Sequence, residues 1–351
     1  MIRFTWLQSR VQVTVALAVL AAFAALLVAT GPHLASLYAA SPITGCHGGG
    51  CANAAGTFLS RLGATSPYPA VYALGIALIF TAPAIIGIFW GAPLIAREHE
   101  ARTFALVWTQ SITRTRWLVV KLALTGLAAM VVTGAFSLMQ AWWADPISKA
   151  IGLGASQSWQ FPFLFSQGRL SPFIFPASGI APLGYAALAF AIGTATGALL
   201  RRALPAMALT LAMVAAIQVA MPLWVRPHLI PPDRTIVSGP SFFEVAALSV
   251  GTLKASTVPG HPQAWILSSG AISAAGQPVS TIPITCMSPT VGKGAGPNAG
   301  ACMARRGIRE AVTYQPASRY WPFQWIETGT FLILALALTG FSFWRLDRRR
   351  T

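Results

Sequence analysis

Apolar residues in this chain come in long, nearly unbroken runs, and the polar residues gather between them. Six runs approach the length of a membrane crossing. They extend from Val11 to Thr30, Val71 to Trp90, Leu118 to Met139, Gly184 to Leu200, Leu204 to Val225 and Trp325 to Trp344. About 20 apolar residues in a helix cross a hydrocarbon core of roughly 30 Å. No water is available there, so the backbone must bond to itself, and the pattern predicts six transmembrane helices. A shorter, two-sided segment lies between the second and third runs. From Glu100, the residues Phe104, Val107 and Trp108 fall at spacings of three and four, one apolar stripe on a short helix over about 98–112. Between the fifth and sixth runs the texture changes. Pieces rich in Val, Thr and Ser, such as Thr281-Ile-Pro-Ile-Thr285, suggest short strands.

Charge orients this pattern. Lys and Arg number 24 against 8 Asp and Glu, for a formal net charge of +16. The bases flank apolar runs and are not interleaved with aromatics, which points to membrane topology and anionic lipid and excludes nucleic acid as a partner. With the N-terminus inside, the short inside segments hold Arg3, Arg10, Arg97, Arg102, Arg114, Arg116, Lys121, Arg201, Arg202, Arg345 and Arg348 to Arg350. That is more than half of all the bases, so both termini are expected in the cytoplasm. Trp321, Trp325 and Trp344 bracket the last run as interfacial anchors. The first run is longer than a signal-peptide core and no crisp cleavage site follows it, so it is expected to be retained.

The four cysteines form two local pairs, Cys46 with Cys51 and Cys286 with Cys302, in stretches placed outside. Two disulfides are the simplest reading in an oxidising compartment. Cys46-His47-Gly-Gly-Gly-Cys51 is also a conceivable metal site, with at most three ligands. The fold expectation is an all-α polytopic membrane protein with six transmembrane helices. It carries a small disulfide-stapled, partly β outside region between the fifth and sixth. The corresponding divisions are 1–225 for five spans and the inside helix, 226–320 for the outside region, and 321–351 for the last span and a basic tail. Outside segments also include 31–70 and about 143–183, the latter with Phe173-Ile-Phe-Pro176 as candidate interfacial residues.

Signals for catalysis are poor. The chain has no Gly-x-x-x-x-Gly-Lys-Ser/Thr phosphate loop and no His-Glu-x-x-His pair. Glu98-His99-Glu100 is no zinc motif, because neighbours on a helix point in different directions. Ion-coupled transport would place ionisable residues within the spans. Glu327, near the outer end of the sixth, is the sole candidate there, either as a carboxylate at the water boundary or as a gate. Gly193 and Gly197, with Gly126 and Gly134, would let helices approach closely. Pro83, Pro93, Pro205 and Pro222 mark bends or span ends.

The stretch Ala96-Arg-Glu98-His-Glu100-Ala-Arg-Thr103, with Thr109-Gln-Ser111 and Thr113-Arg-Thr-Arg-Trp117, resembles the membrane subunit of ABC type 2 exporters. It is similar to that family's Glu-Arg-Glu-x-Gly-Thr…Thr-x-x-Ser/Thr-Arg pattern, with Arg102 in place of the family's glycine. Tyr314 to Glu327 looks like one actinobacterial subgroup. The resemblance implies a bacterial plasma-membrane protein that is a permease and not itself an enzyme. It implies two membrane subunits, as a homodimer or heterodimer, and two separate ATPase subunits. No cofactor belongs to this chain; ATP and Mg would sit on the partner ATPase. Residues 98–112 would form the coupling helix, with Glu98, Glu100, Phe104, Val107, Trp108, Arg114 and Arg116 as docking residues. The cargo would be a hydrophobic drug, a peptide antibiotic or a lipid. A non-transport sensor or scaffold that binds a ligand through its outside loops is the alternative. The inside segments are short for a signalling protein.

Overall fold

The computed structural model describes residues 2–46, 50–64, 67–100, 114–153, 168–237, 258, 260–261, 263–279 and 304–347. Among them, six helices are long and apolar enough to cross a membrane. These spans are Arg10–Ala39, Tyr68–Arg97, Val119–Trp143, Ala181–Leu200, Ala203–Leu229 and Ala317–Trp344. Each overlaps an expected run, but the ends differ. The fifth helix continues past Val225 through a short turn, Arg226–Leu229, so Arg226 belongs to the span and not to a loop. Antiparallel connections leave the bundle with two ends. One holds Arg97 and the Arg201-Arg202 turn and is called the basic end. The other carries the extramembrane structure and is called the sheet end.

The fourth span is the centre of the bundle. Nearly all its residues are buried, and it packs on the second, third, fifth and sixth spans. Small residues make this possible. A β carbon on Gly193 would collide with the carbonyl oxygen of Gly87 and come within 2.7 Å of the Ala92 amide nitrogen. One on Gly197 would lie 2.5 Å from the Ala92 oxygen, and one on Gly91 would lie 2.7 Å from the Phe190 oxygen. The second and fourth spans therefore meet backbone to backbone, as small residues allow in membranes. The fourth span ends at Arg201, whose φ of 56° is left-handed, and a two-residue turn leads straight into the fifth.

The second and fifth spans are irregular where the fourth is not. A π turn interrupts the second at Gly87–Gly91, one turn beyond Pro83. Another interrupts the fifth at Met221–Val225 and contains Pro222. Proline has no amide donor and π turns disturb the helical ladder, so carbonyls near them need other partners. Gln12 of the first span donates to the Phe89 oxygen at 2.8 Å, and Gln218 of the fifth donates to the Phe80 oxygen at 2.7 Å.

Two parts of the sheet end stand out among the described residues. Helix Cys51–Ala64 buries Ala55, Phe58, Leu59 and Leu62, a helical stripe, against Leu34 and Ile147. The other part is a three-stranded antiparallel sheet in the order β1 (Asp233–Val237), β3 (Arg309–Gln315), β2 (Trp265–Ile272). Central β3 pairs Tyr314 with Asp233 and Ile266, and its buried Val312 and Tyr314 join Val237 and Val258 in a small apolar cluster.

This corrects the expectation of a disulfide-stapled region between the fifth and sixth spans. The disulfide observed, Cys46–Cys51, lies between the first and second spans, where it ties Cys46 to the first residue of helix Cys51–Ala64. The described strands between the fifth and sixth are organised by ladder hydrogen bonds and apolar packing instead. Cys286 and Cys302 lie outside the described residues.

Gly193→Val is expected to lower the unfolding midpoint in detergent, because overpacking costs roughly 1–3 kcal/mol and backbone neighbours yield little. Gly340→Ala, at an exposed position with nothing within 4 Å of the new carbon, should leave the midpoint unchanged or raise it. Equal effects of the two would contradict the close crossing.

Candidate functional sites at the two ends of the fourth span

The basic end contains the segment singled out for docking. Glu98 and Glu100 lie in the last turn of helix Ala92–Glu100, and Arg114 and Arg116 open the helix of the third span. Phe104, Val107 and Trp108 lie outside the described residues. Glu100 has a contact that sequence reasoning did not anticipate. Its Oε1 accepts a 2.9 Å hydrogen bond from the Ala203 amide, one of the donors left open at the start of the fifth span. The carboxylate also suits the positive end of that helix dipole. The segment between the second and third spans is thus tied to the fifth. Close by, the Thr196 and Thr210 hydroxyls share a 2.8 Å hydrogen bond between the fourth and fifth spans.

The sheet end holds the densest polar structure within the bundle. Glu327 has no solvent exposure and receives Arg226, which is equally buried. The guanidinium donates from Nε to Oε2 at 2.9 Å and from Nη2 to Oε1 at 3.1 Å. Such a two-pronged pair fixes orientation as well as charge. The Tyr185 hydroxyl of the fourth span donates to the same Oε1 at 2.6 Å. Phe175 lies under the guanidinium at 4.0 Å from its ring centre, and Trp265 of β2 lies at 5.9 Å. Both are within cation–π range. Arg226 Nη1 is buried without a hydrogen-bond partner among the protein atoms.

A second cluster holds the neighbouring chain in place. Gln324 Oε1 accepts from the Ile180 and Ala181 amides at 3.0 and 2.7 Å, which caps the fourth span with a side chain of the sixth. Its Nε2 donates to the Ser178 oxygen at 3.1 Å. Gly179, at φ +65°, lies against Tyr320 and Gln324, where a β carbon would come within 2.7 Å of the Tyr320 hydroxyl.

The sequence pointed to Glu327 but missed Arg226, Tyr185 and Gln324. Arg226 sits between Pro222 and Pro227 and looks like the first residue of a loop. The available signal was that no polar residue separates it from the preceding apolar run. Tyr185 and Gln324 carry no such mark. Cys46 and Cys51 are bonded to each other and so do not serve as thiolate ligands. Among the described residues, no three His, Cys, Asp or Glu side chains gather where they could hold a metal ion.

A family described as ABC-2 membrane transporter related matches residues 17–226. The chain belongs to this family. The match runs through the first five spans and the segment at the basic end, and it stops at Arg226. The ABC-2-related protein is accordingly a multi-pass membrane protein and a transporter-family component. Its Arg226–Glu327 pair joins the last matched residue to a span beyond the match. No curated protein and no solved structure matches the chain.

A buried pair is costly to break from one side, because the partner charge stays buried and uncompensated. Arg226→Ala should therefore lower unfolding stability by about 3–5 kcal/mol. Arg226→Met combined with Glu327→Leu should keep most of the wild-type stability. Detergent unfolding midpoints of the three proteins measure this, and an intact Arg226→Ala protein would show that the pair is not a joint.

Proposed function

We propose that this chain is the permease subunit of an ATP-driven exporter. A separate ATPase docks on the basic end, and a hydrophobic drug, peptide antibiotic or lipid leaves the cell along the membrane subunits. The observation that carries the reading is the family match over residues 17–226, which includes the docking segment. The sequence has no phosphate loop, so ATP and Mg belong to the partner. Two permease subunits, the same or different, would assemble with two ATPases in the bacterial plasma membrane. The basic end faces the cytoplasm in this arrangement, in keeping with the positive-inside rule.

Structure gives the docking segment a mechanical context. Helix Ala92–Glu100 is continuous with the second span through its π turn, so pressure on the segment acts directly on spans. Glu98 and Glu100 offer acids for Arg or Lys of the ATPase. The bond from Glu100 to Ala203 brings the fifth span under the same control.

Reversal of both acids, Glu98→Lys with Glu100→Lys, is expected to cut the ATPase retained by the tagged chain roughly tenfold, about 1.4 kcal/mol of binding. ATP-dependent transport should fall with it, and stability should fall by the lost Ala203 cap, about 1 kcal/mol. Glu100→Gln keeps an acceptor for Ala203 and separates loss of charge from loss of the cap. Undiminished retention and transport in the double reversal would count against these acids as docking contacts.

A further inference from the structure

The geometry points to the fourth span as a rigid rod that carries movement from the docking segment to the extramembrane sheet, with Tyr185 as its far-end coupling residue. What drives the rod rests on the docking reading above. The rod itself does not.

Three observations converge on it. First, the span is stiff. It has no internal proline after Pro182 and no π turn, whereas the second and fifth spans each have both. From Tyr185 to Gly197 is about 18 Å at 1.5 Å per residue. Second, its basic end is engaged without soft side chains. Gly193 and Gly197 touch the backbone of Gly87, Gly91 and Ala92, so displacement there is passed on and not absorbed by rotamer changes.

Third, its other end is wired to the sheet. Tyr185 bonds Glu327, Glu327 holds Arg226, and Arg226 faces Trp265 on β2. Just beyond Arg226, the chain entering β1 is tied to the chain leaving β3. Gln315 donates to the Ile230 oxygen at 2.7 Å, and Arg319 donates to the Pro231 oxygen at 2.8 Å and to Asp233 at 2.7 Å. Both ends of the sheet are thereby rooted on one joint. Tyr185 is the member of that joint contributed by the fourth span. Its hydroxyl supplies the link, while its ring packs edge-on to Phe331 at 4.5 Å, a contact that phenylalanine would keep.

The test uses the purified chain in lipid nanodiscs and reads hydrogen exchange of the β3 amides, Arg309–Gln315. Four proteins are compared: wild type, Gly197→Ala, Tyr185→Phe and the double variant. Gly197→Ala shifts the basic-end crossing, because its β carbon meets the Ala92 oxygen. The expected result is β3 exchange about threefold or more faster in Gly197→Ala, and no such response when Tyr185→Phe is already present. The proposal is overturned if Gly197→Ala alters exchange over 87–97 while β3 keeps its wild-type rate. It is also overturned if the double variant responds as fully as Gly197→Ala alone. Should Gly197→Ala fail to assemble or leave 87–97 unchanged, Thr210→Val takes its place, since it removes a hydroxyl bonded to Thr196 at the same end. The readout needs no ATPase. Failure to find one would defeat the docking reading and leave this result standing on its own.

Discussion

Two helices can cross with their backbones in contact only where glycine on one of them leaves room, and the bundle is built around one such crossing. Gly87 and Gly91 of the second span face Gly193 and Gly197 of the fourth, with Ala92 beside them. That approach places the fourth span in the middle, with the other helices arranged around it. It also explains the composition of that span, which is Ala, Gly and Thr from Gly193 to Ala198. In lipid there is no hydrophobic gain from bringing helices together, so close packing and internal hydrogen bonds must supply the association. The hydroxyl bond between Thr196 and Thr210 and the two glutamines that reach carbonyls of the second span are such bonds.

At the opposite end the organising element is electrostatic. A buried ion pair contributes little to stability compared with apolar residues of the same shape, but it tolerates only one arrangement of its partners. Arg226 and Glu327 fix the sheet-end tip of the fifth span to the sixth. Tyr185 adds the fourth, and the aromatic faces of Phe175 and Trp265 bring in the 168–180 segment and the sheet. One guanidinium therefore sets the register of three spans and the extramembrane part. The fifth span reaches this point through a π turn, which places Arg226 where a regular helix would have pointed a different residue.

The six spans were legible because a run of about 20 apolar residues has few other uses. That strands lie between the fifth and sixth spans was legible from β-branched composition, but Thr281–Thr285, Cys286 and Cys302 lie outside the described residues, and the disulfide observed is the one between the first and second spans. Local spacing did pair Cys46 with Cys51, and the structure joins them. Helix Cys51–Ala64 was missed because its buried face relies on Ala55 as well as on Phe58, Leu59 and Leu62, and its exposed face carries a single charge, Arg61, beside Asn53 and Thr57. Arg226 was missed because a charge directly before a proline resembles a span end. What made it internal was a carboxylate 101 residues away, and no local pattern contains that. The segment proposed for docking stood out as a motif, while the cap that Glu100 gives to Ala203 depends on the tertiary arrangement of two spans.

We propose a membrane component with a docking segment at its basic end, a stiff fourth span and a sheet at the other end, driven by a separate ATPase. The central claim of this account is most directly tested by copurification from native membranes. The tagged full-length chain is crosslinked, extracted in mild detergent, and its associated proteins are identified. The account predicts an ATPase with a phosphate loop, present in a one-to-one ratio with the chain. A chain recovered without such a protein after crosslinking would contradict the exporter reading.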